Sequence, residues 1–245
     1  MSDTNDQLIL VSGFSGGGKS ASLRNIRNQD KWIYLNCESG KRLPFANKFD
    51  KYVITDPMQV MEAFDYASEP GQAHVEGIIV DSLTFLMDMY ESQYVLTAVN
   101  TMQAWSNFAQ FFKVLMQQKV PTFGKPVIFT AHLLDTLDEK NAEIKTSVPV
   151  KGSLKNNGIE AYFSTVVSAK KLTLKDLEKF GSQLLTITDE EKEVGFKHVF
   201  QTRITKGTTG ERIRSPMGMF ERSQTFIDND CQLLLDHLKA YYANI

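Results

Sequence analysis

This chain of 245 residues has few cysteines and little excess of charge of either sign. Its two cysteines, Cys37 and Cys231, form no C-x-x-C pair, so we expect neither a disulfide framework nor a cysteine-based zinc site. The net charge of −2 excludes a protein that is basic overall and leaves only local patches for binding nucleic acid. No apolar run approaches the roughly eighteen residues that a membrane span needs, and the short polar segment 1–6 is unlike a signal peptide.

The rest of the composition is that of an ordinary globular protein. Hydrophobic residues make up 42% of the chain, enough to bury a substantial core, and internal repeats and low-complexity tracts are absent from the sequence. Few cysteines in a chain of this length are typical of reduced thiols, so we expect a cytoplasmic protein with no membrane partner. We expect one domain over residues 1–245, with a core over 7–221 and a C-terminal helix over 222–245.

The segment 13–20, GFSGGGKS, fits G-x-x-x-x-G-K-[ST], the phosphate-binding loop of P-loop NTPases. Apolar residues 7–12 predict a strand before the loop, and residues 21–26 predict the start of a helix after it. In this arrangement backbone N–H groups close around phosphate oxygens, and the helix N-terminus adds partial positive charge. Lys19 can reach the β- and γ-phosphates, and the Ser20 hydroxyl can ligate Mg²⁺. The predicted nucleotide-binding residues are Gly13, Phe14, Ser15, Gly16, Gly17, Gly18, Lys19, Ser20 and Ala21.

Three further buried strands are predicted over residues 31–36, 77–82 and 125–132. Asp81 gives the second strand the Walker B pattern, which places a carboxylate where it can hold Mg²⁺ through water. Because Ser82 follows it rather than Glu, a water-activating carboxylate must come from elsewhere, and Glu38 is the best candidate. Glu38 follows a strand at the edge where open parallel sheets bind ligands, and His132 ends the third strand, where it could bond a γ-phosphate. A solvated turn residue and a structural histidine remain open alternatives for these two residues.

The remaining elements follow from apolar periodicity and from Gly and Pro breaks. Residues 83–118 predict two helices with a break near Asn100, and residues 175–193 predict a charged surface insertion. The other predicted elements are a short strand over 51–54, a helix over 57–67, a hairpin or loop over 133–149, a helix start over 159–163, a strand over 165–169, a β-hairpin over 197–214, a connector over 216–226 and a helix over 228–242.

Two segments are locally basic. Loop 150–158 is rich in Gly and Asn and has no acidic residue, which suits contact with a nucleic-acid backbone, although a solvated surface loop remains the alternative. The candidate nucleic-acid-binding residues in this loop are Lys151, Lys155, Asn156 and Asn157. The predicted hairpin 197–214 is either a solvated strand face or a basic finger aimed at phosphate. Its charged residues are Lys197, Arg203, Lys206, Arg212 and Arg214, against Glu211.

In their order along the chain, these motifs resemble the RecA-type ATPase core, and in particular phage RecA-like ATPases of the single-strand-annealing kind, which are often grouped with P-loop AAA proteins. The resemblance covers roughly residues 7–221, and only its motifs are specific. It implies an α/β fold, a RecA-like P-loop NTPase core with a mostly parallel central sheet flanked by helices. A C-terminal β-hairpin and helix would complete this fold.

The resemblance also implies roles for individual residues. Glu38 would polarise the attacking water, and Asp81 with Ser82 is similar to the recombinase Walker B, which also has Ser after Asp. His132 would sense the γ-phosphate, at a position where many relatives have Gln. Residues 151–163 resemble the second DNA-binding loop and the helix after it. Arg203 and Lys206 resemble basic residues that enter the neighbouring subunit's nucleotide site, so they would act in trans.

The function that the resemblance implies is hydrolysis of ATP, with Mg²⁺, by a protein that acts on single-stranded DNA in homologous recombination or annealing. It implies self-association with nucleotide at the subunit interface, a single-strand-binding or replication protein as a further partner, and the host cytoplasm as location if the chain is phage-encoded. One alternative is an oligomeric switch or motor ATPase with a protein partner, which DNA would not stimulate. Another is a small-molecule kinase, although no lid-like arginine cluster follows the P-loop helix.

Overall fold

The computed structural model describes residues 5–156 and 158–244. Within them, eight strands form one sheet in the order β10-β9-β8-β1-β5-β4-β2-β3, and β6 and β7 form a separate hairpin. The strands are β1 Leu8–Gly13, β2 Trp32–Asn36, β3 Asp50–Val53, β4 Gly77–Asp81, β5 Val127–His132, β6 Leu134–Asp138, β7 Glu143–Ser147, β8 Thr165–Thr173, β9 Phe196–Gln201 and β10 Phe226–Asp228.

The sheet is mostly parallel, as the resemblance predicted. Strands β3, β2, β4, β5, β1 and β8 all run in one direction, and β9 is antiparallel to both of its neighbours. The central strands are continuous apolar runs because helices cover both faces of the sheet. The helices are α1 Met58–Ser68, α2 Leu83–Tyr90, α3 Thr101–Val114, α4 Val120–Phe123, α5 Leu174–Leu177, α6 Asp189–Val194 and α7 Cys231–Tyr242.

Alternate residues of each strand enter two different cores. Leu10 and Phe129 face α1, α2 and α3, whereas Val11 and Ile128 face the side that α7 covers. This alternation is the period of two that a pleated strand imposes on its side chains. None of the described helices is both long enough and apolar enough to cross a lipid bilayer.

The predicted break near Asn100 is confirmed. Each of α2 and α3 ends in a π-helical turn, Glu91–Val95 and Leu115–Lys119, and α3 begins where the Asn100 side chain accepts a hydrogen bond from the Gln103 amide at 3.1 Å. That bond caps one of the free N–H groups at the helix start. The hairpin predicted within residues 133–149 is present as β6 and β7.

The predicted helix after the phosphate loop is wrong in length. One 3-10 turn, Ser20–Leu23, replaces it, and a second turn, Gln29–Lys31, leads directly into β2. Too little chain remains before Trp32 for a regular crossover helix, and Asn28 turns the backbone with a positive φ of 51°.

The predicted β-hairpin over 197–214 is also wrong. Strand β9 pairs with β8 on one side and with β10 on the other, so neither of its edges is open to residues 211–214. Glu211 instead bridges Thr146, and Arg214 bridges Val166. A partner from farther along the chain therefore takes the position that a local hairpin would have filled.

Helix α7 is bonded to the segment that follows the phosphate loop. The Ser22 hydroxyl lies 3.1 Å from the Cys231 sulfur, and Arg24 donates to the Asn229 carbonyl at 3.0 Å. Asn25 bonds Asp230, and Arg27 forms an ion pair with Asp236. The beginning and the end of the fold are thus joined beside the loop.

Candidate nucleotide-binding site

The phosphate loop lies between β1 and the 3-10 turn Ser20–Leu23, at the edge where the parallel strands end. Gly16 and Gly18 have φ values of 76° and 99°, a region that favours glycine. A Cβ atom on Gly13 or Gly17 would lie 2.7 or 2.6 Å from the Ala169 carbonyl oxygen, so β8 approaches too closely for a side chain. The glycines therefore set both the curvature of the loop and its contact with the sheet.

Lys19 is buried inside this loop. Its Nζ donates to the carbonyl oxygens of Gly13 at 2.9 Å and Phe14 at 3.0 Å, and burial lowers the pKa of its ammonium group. The two carbonyls hold the side chain across the loop, where a charged group faces incoming phosphate. Its location fits the predicted role.

Asp81 collects several hydroxyl groups at the end of β4. Asp81 is only 2% exposed. Its Oδ2 accepts hydrogen bonds from Ser20 Oγ at 3.0 Å and from Tyr34 OH at 2.7 Å. Thr130 Oγ1 donates to its other oxygen. Tyr34 and Thr130 were not predicted as site residues, although each lies two positions before a strand's polar end residue, Asn36 or His132, and so on the same strand face.

The Ser20 hydroxyl and the Asp81 carboxylate fit Mg²⁺, which prefers hard oxygen ligands. The described residues hold no group of three or more His, Cys, Asp or Glu side chains placed for a metal ion. Phosphate oxygens and water usually complete the coordination of this ion beside one or two protein ligands.

Glu38 and His132 meet at the same edge of the sheet. Glu38 Oε1 lies 3.2 Å from His132 Nε2, and Lys41 Nζ lies 3.1 Å from Glu38 Oε2. The hydrogen bond from His132, supported by Lys41 against the effect of burial, lowers the pKa of Glu38 to about 2. Its carboxyl side chain, 9% exposed, is therefore ionised at neutral pH.

His132 connects this carboxylate to the phosphate loop. Its Nδ1 lies 3.5 Å from Lys19 Nζ. The Glu38 carboxylate can only accept a hydrogen bond, and the Lys19 ammonium can only donate one. The proton of the imidazole is therefore assigned to Nε2, which donates to Glu38, while Nδ1 accepts from Lys19. The three side chains form a row in the order Lys19, His132, Glu38.

A cavity of about 740 Å³ covers these groups. Ser15, Gly16, Gly18, Lys19, Ser20 and Ala21 line it, as do Glu38, Asp81 and His132. Of the described loop residues, Gly13, Phe14 and Gly17 are not in its wall, and the Phe14 side chain is 45% exposed. These three predicted binding residues thus shape the loop from outside the cavity.

The predicted surface insertion contributes to the same cavity. Thr188, Glu190, Glu191 and Val194, in or beside α6, lie in its wall. The pattern Thr188-x-x-Glu191 is a capping box that predicts a helix start, and both of its hydrogen bonds are present. The sequence carried no signal that this helix would lie beside the phosphate loop, because strand order is not local information.

Part of the predicted basic patch is neutralised by ion pairs. Lys197 is buried, with its Nζ 2.7 Å from Glu191 and 3.1 Å from Asp228. Arg212 Nη1 lies 3.2 Å from the buried Glu160 carboxylate. The local charge of the 197–214 segment is therefore lower at the surface than its sequence indicated.

Arg203 and Lys206 lie away from this chain's own nucleotide cavity. Neither is among the described residues of its wall. Arg203 donates to the Phe220 carbonyl at 2.6 Å and lines a separate groove with Ile204 and Ile213. Arg203 follows the C-terminal end of β9, whereas Phe196, at the other end of this strand, lines the cavity.

The predicted nucleic-acid loop is a 3-10 turn, Gly152–Asn156, packed against α3. Gly152 lies so close to the Trp105 ring that a Cβ would be 2.9 Å from it, and Lys151 forms an ion pair with Glu91. Lys155 is exposed. Asn157 and the side chain of Asn156 lie outside the part of the chain that the structure describes.

The sheet order, the phosphate loop and the Asp81 site together define a P-loop NTPase with a RecA-like core. A model of the AAA domain family AAA_24 matches residues 5–206, and the chain belongs to this family. AAA domains are typically ATPases, which supports ATP as the nucleotide. No curated protein sequence matches the chain significantly.

Solved structures similar to this chain include a recombinase and a flagellar accessory protein. The RadB recombinase is 15% identical with a TM-score of 0.42, over 69% of this chain and 76% of that one. The flagellar accessory protein FlaH from Methanocaldococcus jannaschii is 13% identical with a TM-score of 0.37, over 80% of this chain and 77% of that one.

Proposed function

We propose that this protein binds and hydrolyses ATP and acts on single-stranded DNA in homologous recombination or annealing, as the phage proteins it resembles do. The observation that carries the hydrolytic part is the row Lys19, His132, Glu38 beside Asp81. It places a phosphate-binding ammonium, a polar relay and an ionised carboxylate along one edge of the sheet. A phosphate-binding lysine and a group that positions the attacking nucleophile are recurring parts of phosphoryl-transfer sites.

In this proposal Lys19 and the loop amides hold the β- and γ-phosphates, and Ser20 and Asp81 hold Mg²⁺. When bound, Mg²⁺ supplies positive charge against the phosphate oxygens. Glu38, ionised and held in place, accepts a hydrogen bond from the attacking water and orients it, while the His132 Nε2–H group bonds either the carboxylate or the γ-phosphate. Loss of the γ-phosphate would therefore release His132 and change the hydrogen bonding of Glu38.

The DNA part of the proposal is supported by the surface around loop 150–156. Lys155 is exposed there, the neighbouring connection between α2 and α3 exposes Leu96 and Val99, and the first turn of α3 exposes Met102. Glu91 and Trp105, on either side of that connection, contact Lys151 and Gly152. Cations beside exposed apolar side chains suit a strand whose backbone is charged and whose bases are unpaired.

The test is ATP hydrolysis by the purified protein with and without single-stranded DNA, at low and moderate salt. We expect DNA to stimulate hydrolysis, the stimulation to fade as salt rises, and Lys155→Ala to weaken it. The matched control is Lys175→Ala, which removes an exposed lysine distant in sequence from the loop. Lys19→Ala should abolish nucleotide binding and hydrolysis together.

Hydrolysis that ignores DNA at both salt concentrations would favour a second candidate, an oligomeric switch or motor ATPase with a protein partner. The edge strand β3 supports this alternative, because Tyr52 and Val53 are exposed on it beside Tyr66. An unpaired strand edge with apolar side chains can bind another polypeptide. A single-strand-binding or replication protein would suit either candidate as a partner.

A further inference from the structure

Asp81 lies between two hydroxyl groups that come from the strands on either side of it. Strand β4, which ends at Asp81, has β2 on one side and β5 on the other. Tyr34 on β2 donates to Oδ2 of Asp81 at 2.7 Å, and Thr130 on β5 donates to Oδ1. All three residues are at most 3% exposed, so bulk water does not compete for these bonds. Each carboxylate oxygen is therefore held by a different neighbouring strand.

Ser20 is the third donor to this carboxylate. Its Oγ lies 3.0 Å from Oδ2 of Asp81, the oxygen that Tyr34 also bonds. A hydroxyl group has one proton and two lone pairs, so a proton directed at Asp81 leaves the lone pairs of the Ser20 oxygen for a cation. Ser20 and Asp81 both line the cavity beside the phosphate loop. The carboxylate thus prepares Ser20 as a ligand by accepting its proton.

The number of donors decides how Asp81 itself takes part. An ionised carboxylate has about four acceptor positions, two on each oxygen. Ser20 and Tyr34 fill those of Oδ2, and Thr130 fills one of those of Oδ1. The described donors therefore leave Asp81 room for about one more, such as a water molecule. Loss of the Tyr34 hydroxyl would open Oδ2 and let the carboxylate turn away from Ser20.

We propose that Tyr34 and Thr130 are positioning residues for Mg²⁺, because their hydroxyl groups fix the Asp81 carboxylate so that it holds the Ser20 proton and leaves the Ser20 oxygen to the ion. This inference rests on the proposed function, since it assigns how the Mg²⁺ site of the ATPase is held. It gives a role in metal affinity to two side chains that act only through Asp81.

The test measures metal affinity directly, with Mn²⁺ in place of Mg²⁺ because both are hard ions with octahedral oxygen coordination. ADP is the bound nucleotide, so no hydrolysis is needed, and the electron paramagnetic resonance signal of free Mn²⁺ reports binding. Tyr34→Phe removes only the hydroxyl and keeps the ring that stacks on Phe49 at 5.9 Å. It should lower Mn²⁺ affinity about tenfold, as is typical when a metal-site carboxylate loses an outer partner.

The second variant and the control test the same chemistry elsewhere. Thr130→Val removes the hydroxyl on the other side of Asp81 and should also lower Mn²⁺ affinity about tenfold, whereas Thr130→Ser keeps a hydroxyl and should bind like wild type. Tyr52→Phe is the matched control, because Tyr52 OH donates to the Asp50 carboxylate at 2.9 Å on the exposed strand β3. It loses the same kind of bond away from the site and should keep wild-type affinity.

Two further readouts separate positioning from a purely structural role. Tyr34→Phe and Thr130→Val should bind ADP as wild type does when EDTA removes the metal, which calorimetry measures. In ATP hydrolysis, the Mg²⁺ concentration for half-maximal rate should rise about tenfold in each variant, while the rate at saturating Mg²⁺ stays near that of wild type.

Wild-type Mn²⁺ affinity in both variants would overturn the inference, since the hydroxyls would then serve only to satisfy a buried charge. Weaker binding of ADP in EDTA would overturn it as well, because the residues would then act through the shape of the phosphate loop. In both cases normal binding and hydrolysis by the wild-type protein would leave the proposed function standing. A wild-type protein that binds neither ADP nor ATP would overturn the proposed function and this inference with it.

Discussion

At the scale of single residues, Glu38 has the surroundings that matter most for chemistry. Its carboxylate is held by His132 and Lys41 and is nearly buried. A carboxylate fixed in this way cannot swing to other partners, so it presents the same oxygen to each incoming water. Tyr34 and Thr130 hold Asp81 in a comparable way.

Glu38→Gln should separate binding from hydrolysis. The amide keeps the shape and one acceptor oxygen but lacks the negative charge that orients the water, so ATP affinity should stay within about twofold while single-turnover hydrolysis falls by about 100-fold or more. The control is Glu178→Gln, at an exposed position on the segment after β8, which should hydrolyse ATP normally. Hydrolysis at the wild-type rate by Glu38→Gln would show that another group orients the water.

The acid sensitivity of folding should also report on Glu38. Its pKa in the folded protein is about 2, below the ordinary value of 4.5, so its stabilising effect is complete above pH 4.5 and is lost as pH falls towards 2. Between pH 7 and pH 3, the wild-type free energy of unfolding should therefore fall by about 1–2 kcal/mol more than that of Glu38→Gln. Urea denaturation at both pH values measures this difference, and parallel losses would contradict the prediction.

At the scale of elements, the sequence pattern predicted correctly the strands and the loop that depend on neighbouring residues. The apolar runs gave the strands that end in Asp81 and His132, and the glycine pattern gave the phosphate loop. The hairpin over 197–214 could not be predicted correctly, because β10 competes for the edge of β9 from farther along the chain. The contact of His132 with Lys19 and Glu38 likewise depends on the order of β1, β5, β4 and β2, which no single stretch contains.

Residues 210–214, which were predicted as the second strand of the hairpin, begin at a close backbone approach to β7. A Cβ on Gly210 would lie 1.9 Å from the Ile144 carbonyl oxygen, and the Gly210 carbonyl accepts from the Thr146 amide at 2.9 Å. Gly210→Ala should therefore push residues 210–212 away from β7 and lower the free energy of unfolding by about 2–4 kcal/mol.

Gly207→Ala is the matched control for that change. The space beside Gly207 is open for a Cβ, and its φ is not in the positive region, so the substitution should be nearly neutral. Thermal or urea denaturation of the two variants gives the comparison. Equal stability of both would mean that residues 210–212 are not held against the β6–β7 hairpin in solution.

At the scale of the whole molecule, we expect Arg203 and Lys206 to act in the site of a neighbouring subunit, since they resemble residues that do so and are not among the described residues of the chain's own cavity wall. If these residues reach the nucleotide of a neighbour, inactive variants should complement one another. Lys19→Ala keeps its basic residues but lacks a working site, and Arg203→Ala keeps its site but lacks Arg203. In an equal mixture about a quarter of subunit interfaces would combine both intact parts.

The mixture of Lys19→Ala and Arg203→Ala should therefore recover a substantial part of wild-type ATP hydrolysis, while each variant alone stays inactive. The rate should rise with total protein concentration because it requires assembly. Arg203→Lys is the control. It keeps the positive charge at this position but not the geometry of the hydrogen bond that Arg203 donates to the Phe220 carbonyl. A mixture no more active than its parts would assign Arg203 to the fold of its own subunit.

The bonding of α7 to residues 22–27 has a consequence for how the protein is made. Ribosomes deliver the phosphate loop early and α7 late, yet Ser22, Arg24, Asn25 and Arg27 find their partners between Asn229 and Asp236. The segment after the phosphate loop therefore gains these partners only once α7 has been synthesised. We expect the growing chain to remain unable to capture nucleotide until translation has passed α7, so that assembly of the site during synthesis waits for this helix.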